Sequence, residues 1–282
     1  MSLTTLFEQF LQDKRYLQNV SHNTVEFYRL SFNSFNLSAL PVTQADLNNA
    51  IVTMRESGKS AACVNAYIRG VRPFVNWLVE NGHLPDRLKL KKLKCEDKAI
   101  RTFSDAHIRA LLSYKPKTRT DRRLLALLML LADTGVRINE ALTLTRGAID
   151  IENLLIDVKG KGSKVRRIPF SIEARKILFK HLQSHPHERV FCTRNGGKLQ
   201  YNNMRRDFNA LCEKLSITGF DGSFHAFRRY YATYAIRKNT NPFVVQRQLG
   251  HASLTMTNRY AKLTTEDLSA NHVSALQAGG VH

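Results

Sequence analysis

Apolar residues recur at helical spacing through the first eighty positions. Leu3, Leu6, Phe7, Phe10 and Leu11 make one stripe and predict a helix over 3–13. Ser21 is placed to cap a second helix over 21–34. After a break at Pro41, the run from Thr43 to Asp46 reads as the capped start of a third. A fourth helix is expected over 60–79, with Val64, Tyr67, Ile68, Val71, Phe74, Val75, Trp77 and Leu78 near one face. This stretch carries very little strand pattern.

From Asn81 to Thr102 the periodicity breaks. Gly82, Pro85 and the basic run RLKLKKLK mark a linker between two domains. Such a linker is either a solvated tether or a strap across phosphates, and the basic sequence on both sides favours the strap. The second domain starts near Phe103. Helices are expected over 105–114, over the strongly apolar 121–133 that stops at Gly135, and over 137–144. The period then changes to two. LLIDV at 154–158 and KVRRIPF at 164–170 flank a turn with Gly160 and Gly162, a β-hairpin signal. Helices follow at 171–183, 201–215, 223–237, 241–249 and 265–277. The fold class is therefore mainly α with a small β-sheet.

Composition narrows the partners. Lys and Arg number 43 against 23 acidic residues, a formal charge of +20 over 282 residues. Self-repulsion on that scale disfavours a compact chain unless a polyanion is the partner, and nucleic acid is the leading one. The four cysteines form no CxxC and lack histidines at ligand spacing, so no metal is expected and they read as idle thiols in a reducing cytosol. The N-terminus lacks a signal-peptide pattern, and the longest apolar run, LLALLMLLA, is too short to span a bilayer. A cytoplasmic location without membrane attachment is the expectation.

Several side chains carry chemistry suited to a phosphodiester. Arg137 follows Thr134-Gly135 amid apolar residues and shares an expected helical face with Glu140, which would orient it; a structural ion pair is the other reading. His225 and Arg228 lie three apart on one helix. Arg229 points about 100° away and suits a backbone contact. Lys161 sits in a Gly-Lys-Gly turn, where it could protonate a departing oxygen; Lys159 and Lys164 compete for that role, and an ordinary solvated turn is the alternative. His251 follows a helix end, and Tyr260, one of nine tyrosines, comes nine residues after it (251 to 260).

In order and spacing, Arg137 in TGVRINE, the GKG turn, HAFR, and LGH followed by Tyr260 resemble the tyrosine recombinase (phage integrase) family over roughly 103–277. The step from 137 to 161 is the one found in Xer-type members, which favours Lys161 over its neighbours. The N-terminal segment, with Thr24 and Tyr28, is similar to the family's core-binding domain. The resemblance divides the chain into a helical, SAM-like core-binding domain (1–82), a basic linker (83–102) and a mixed α/β catalytic domain (103–282). On that resemblance the expectation is a simple recombinase that starts with the core-binding domain, without the arm-binding domain of large phage integrases.

The resemblance implies that Arg137 and Arg228 clamp the phosphate with His225 and His251, that Glu140 holds Arg137, and that Lys161 protonates the 5′ leaving group. Tyr260 attacks, giving a 3′-phosphotyrosyl enzyme, with no cofactor implied. Strand exchange through a Holliday junction follows, on double-stranded DNA with specific core sites. The family closes two domains around duplex DNA as a C-shaped clamp, with Lys59, Arg69 and Arg72 on the fourth helix, Lys91, Lys92 and Lys94 in the linker, and Lys159, Lys164 and Arg229 in the catalytic domain as expected DNA contacts. Four protomers would assemble on paired sites by exchanging the C-terminal helix, through Leu263, Leu268, Val273 and Leu276, with accessory or directionality proteins as further partners. The expected role is integration, excision or resolution of a mobile element. The alternatives are dimer resolution for chromosomes or plasmids, type IB topoisomerase-like relaxation, and a non-cutting accessory DNA-binding factor.

Overall fold

A computed structural model describes residues 2–37, 39–96, 101–160, 165–220 and 222–250. The chain divides into two compact units, 1–99 and 100–282.

In the first unit, four helices start where a hydroxyl side chain accepts an N–H of the first turn: α1 (Leu3–Gln12) at Ser2, α2 (His22–Phe35) at Ser21, α3 (Gln44–Glu56) at Thr43 and α4 (Ala61–Glu80) at Ser60. Thr43 and Asp46 form a full capping box, as their spacing foretells. After α1 the chain widens into one π-helical turn, Asp13–Leu17, where Asp13 accepts the indole N–H of Trp77 at 2.8 Å. Phe7 stacks on Phe32 with centroids 4.0 Å apart, and Phe74 meets both rings edge-on. α2 and α4 approach closely at Gly70, where an added Cβ would lie 2.0 Å from Ser31 Oγ.

The expected linker is, over residues 84–93, part of this first unit. Leu84 and Leu90 are buried in its core, with Leu88 and Leu93 packed against it. Amide side chains hold the backbone as a neighbouring strand would: Gln44 donates to the Lys89 carbonyl and accepts its N–H (3.0 and 2.7 Å), and Asn65 does the same for Leu93 (2.9 and 2.8 Å). Arg72 donates to the Leu90 carbonyl.

The second unit is organised on α6 (Arg119–Thr134), whose residues from Leu124 to Ala132 are all buried. Its capping box, Thr118 with Asp121, starts it two residues earlier than the expected 121. Around it lie α5 (Asp105–Leu112), α8 (Ile172–Gln183), α9 (Tyr201–Lys214) and α10 (His225–Arg237). The hairpin forms as expected, β2 (Leu155–Lys159) against β3 (Val165–Pro169). A two-residue strand β1 (Ile149–Asp150) makes the sheet three-stranded and antiparallel. Ile156 pairs with Ile168 and Val158 with Arg166, so these four share the face turned to the core. The short helices α7 (Ile138–Leu142) and α11 (Pro242–Leu249) complete the unit. The helix expected at 265–277 lies outside the described residues. No disulfide links the cysteines, and no described helix is long and apolar enough to cross a membrane.

Candidate active site

α6 ends at Gly135, whose φ of +64° suits only a residue without a side chain here. A Cβ would lie 2.6 Å from the Tyr231 ring and 2.7 Å from the Leu249 side chain. The reversal sends the chain through buried Val136 to Arg137. Arg137 does not lie on a helical face, contrary to the sequence expectation. It is the extended N-cap of α7 (φ −72°, ψ 144°), because the left-handed stop at Gly135 ends one helix before the next begins. Its pairing with Glu140 survives in another form. Glu140 Oε2 accepts the Arg137 backbone N–H at 2.8 Å, and Oε1 accepts Nη1 at 2.9 Å. The Arg137 side chain remains 40% exposed while that of Glu140 is 8% exposed.

A second arginine holds the same carboxylate. Arg166, on β3, donates Nη1 to Oε1 at 3.1 Å and Nη2 to Oε2 at 2.7 Å, a two-pronged ion pair. Its Nε donates to the Gln248 carbonyl at 2.9 Å. Burial by itself would raise the Glu140 pKa; the hydrogen bonds from Arg166 and from the Arg137 backbone outweigh it and hold the carboxyl below its ordinary range. Arg166 escaped the sequence reading, although a signal was present. In VRRIP, period two puts Arg166 on the face of buried Ile168, whereas Arg167 faces outward and pairs with Asp157.

Arg228 is almost wholly buried. Its Nη1 donates to the Gly135 carbonyl at 3.0 Å and its Nη2 to the Leu249 carbonyl. His225, one turn earlier, is exposed at the start of α10, so the two do not present equivalent faces. Arg229 is half-buried and donates Nε to the Arg101 carbonyl at 3.1 Å. Lys159 is exposed at the end of β2. Lys161, Lys164, His251, Tyr260 and the segment from Leu263 to Leu276 lie outside the described residues.

Among the expected DNA contacts of the first unit, Lys91, Lys92 and Lys94 are exposed on the strap, and Arg69 is exposed over the Phe27 ring. Arg72 is half-buried as a strut beneath Leu90. Lys59 precedes α4 rather than lying on it, because Ser60 is the cap. Among the described residues no cluster of three His, Cys, Asp or Glu could hold a metal ion.

The model of the phage integrase family matches residues 101–267. The chain belongs to this family, the tyrosine recombinases, and is an enzyme that breaks and rejoins DNA strands. It is 28% identical to a tyrosine recombinase XerC of Bacillus subtilis, over 95% of this chain and 94% of that protein. It is 25% identical to a tyrosine recombinase XerA of Saccharolobus solfataricus, over 93% and 90%. Among solved structures it resembles the Tn1549 transposon integrase in complex with circular intermediate DNA (TM-score 0.76, 20% identity, 92% of this chain and 95% of that one). At that identity the likeness establishes the fold.

Proposed function

We propose that the chain is a site-specific recombinase in which Tyr260 attacks a phosphodiester held by Arg137, Arg228, His225 and His251. The phenol oxygen bonds to phosphorus as the bond to the 5′ oxygen breaks. The phenolic proton passes to solvent water, and Lys161 supplies a proton to the departing 5′ oxygen. The 3′-phosphotyrosyl link keeps the energy of the broken bond, so a 5′-hydroxyl from a partner duplex reverses the step and yields a Holliday junction. Two arginines suit this task because the guanidinium fork matches two phosphate oxygens and stays charged.

The observation that carries the reading is the placement of Arg228. One buried guanidinium binds the carbonyls of Gly135 and Leu249, each two residues ahead of a proposed phosphate ligand, Arg137 and His251. It thereby ties together the segments that lead to both. The first unit, with Arg69 and the strap lysines Lys91, Lys92 and Lys94, is the proposed core-binding domain, and the second the catalytic domain. Four protomers on two sites, joined by the helix expected at 265–277, are the proposed assembly.

The role we favour is integration, excision or resolution of a mobile element, supported by the +20 charge. A second reading, dimer resolution of chromosomes or plasmids, is favoured by likeness along nearly the full length of recombinases named XerC and XerA. The chemistry is tested with nicked duplex fragments that trap the cleaved strand. Wild-type chain forms a covalent DNA adduct at the 3′ side and Tyr260→Phe forms none; a wild type that never forms one ends the proposal. Mapping the adducts on genomic fragments separates the roles, since element boundaries support the first and a single chromosomal or plasmid locus the second.

A further inference from the structure

Arg166 has no part in the scheme above, yet it touches three of the elements that scheme depends on. Its guanidinium grips both oxygens of Glu140 on α7, at 3.1 and 2.7 Å. Its Nε holds the Gln248 carbonyl in the last turn of α11, at 2.9 Å. Its backbone lies in β3, paired with Val158 on β2, the strand after which Lys161 follows in sequence. The left-handed turn at Gly250 packs on the same side chain, where a Cβ would come within 3.4 Å of Arg166 Cδ and Nε. Lysine could not duplicate this, since one ammonium cannot engage a carboxylate in two prongs and a separate carbonyl in fixed geometry.

Charge adds a second reason. Glu140 with Arg137 alone would be a neutral pair, and much of the pull of Arg137 on a phosphate would be cancelled by the carboxylate at 2.9 Å. Arg166 supplies the counter-charge at 2.7 Å, so the cluster of two arginines and one carboxylate carries a net single positive charge. The exposed member of that cluster is Arg137, and the screened member is Arg166, with a side chain 16% exposed.

We infer that Arg166 is a positioning residue for strand cleavage. Through Glu140 it fixes the direction and effective charge of Arg137, and through Gln248 it fixes the exit of α11 from which His251 and Tyr260 follow. The inference rests on the reading of Tyr260 as nucleophile. Arg166 keeps the phosphate clamp and the nucleophile segment at one spacing, and small errors in such spacing cost rate far more than affinity.

The test uses the full chain and a nicked duplex fragment on which wild type forms its Tyr260-dependent adduct. Dissociation constants and single-turnover adduct rates at saturating protein are measured for wild type, Arg166→Lys, Arg166→Met and the control Arg167→Met. Expected are dissociation constants within about threefold of wild type, and adduct rates lower by about a hundredfold for both Arg166 variants. Arg167→Met should match wild type. Lysine keeps the charge and most of the bulk, so Arg166→Lys remains informative even where Arg166→Met fails to fold. Arg166→Lys with a wild-type rate overturns the inference, as does a loss that appears equally in binding and in rate. Absence of any wild-type adduct instead removes the nucleophile reading, so the two failures are told apart.

Discussion

In the first unit the interior is aromatic and aliphatic. Phe7, Phe32 and Phe74 meet ring to ring, and Ser31 is the one buried polar side chain among the described residues there. In the second unit the interior also holds Glu140, Arg228, His181 and His185. The difference is one of interior chemistry. A wholly apolar interior is served by packing, where any well-filled core suffices. Buried charge needs directional bonds and is tolerated only when it is paired or hydrogen-bonded. Arg228 and Glu140 meet that condition through two backbone carbonyls and two guanidinium groups.

The sharpest way to break this contrast is Arg228→Met. It keeps an apolar stem but leaves the Gly135 and Leu249 carbonyls without their charged donor, at a cost of about 3–5 kcal/mol from two lost charge-assisted bonds in a buried site. The chain's single tryptophan, Trp77, lies in the first unit, so its fluorescence reports that unit while far-ultraviolet circular dichroism reports both. In denaturant, Arg228→Met should lower a dichroism transition and leave the Trp77 transition in place. Equal shifts in both signals would show that the stability of the two units is not separable in this way.

The same contrast governs what could be read in advance. The helices of the first unit follow from caps and stripes: Ser21 and Thr43 accept the N–H groups the sequence promises, and the Phe7–Phe10 stripe lies in the core. The hairpin was legible from period two, but β1 was not, since two residues carry no period. The segment at 84–93 reads in sequence as a basic linker between domains because its lysines dominate the composition. Its alternate leucines and the amides of Gln44 and Asn65, distant in sequence, decide its place. Arg137 and Glu140 were legible as a pair, while their geometry was not, because a capping box and a helical face use the same three-residue spacing. Arg166 was hidden in a basic run where only its register, opposite Val158, distinguishes it from Arg167.

A smaller effect tests the packing side. Gly70→Ala in α4 places a methyl 2.0 Å from Ser31 Oγ and 3.0 Å from the Phe27 ring, both on α2. The intrinsic helix preference for alanine would favour the change by about 1 kcal/mol, but overpacking of this kind costs about 1–3 kcal/mol, and the contact is short enough that the clash should win. The Trp77 transition should fall. Adding Ser31→Gly, which removes both the hydroxyl and its Cβ from the contact, should recover part of the loss. Additive losses in the double variant would show that the two helices are not in the close register described.

The smallest effect at neutral pH, and the most specific to the second unit, is titration of His181. Its Nε2 lies 2.9 Å from the Val190 carbonyl and its ring stacks on Phe191. Burial is the main cause that pushes its pKa down, to about 4, and His185 is lowered in the same direction. In the unfolded chain a histidine binds its proton near pH 6.5, so between about 6.5 and 4 the unfolded state holds more protons than the folded one. Stability contributed by neutral His181 is complete above pH 6.5 and falls as pH is lowered through that window, by about 3 kcal/mol in all. His181→Gln keeps an N–H donor for Val190 and removes the titration. Denaturant midpoints followed by circular dichroism between pH 7.5 and 4.5 should therefore fall less steeply in the variant, with His185 supplying the remaining slope. The Trp77 transition should have the same pH profile in both proteins, because no histidine is buried in the first unit among its described residues. A Trp77 profile that flattened along with the dichroism would place the His181 contribution in the stability of both units.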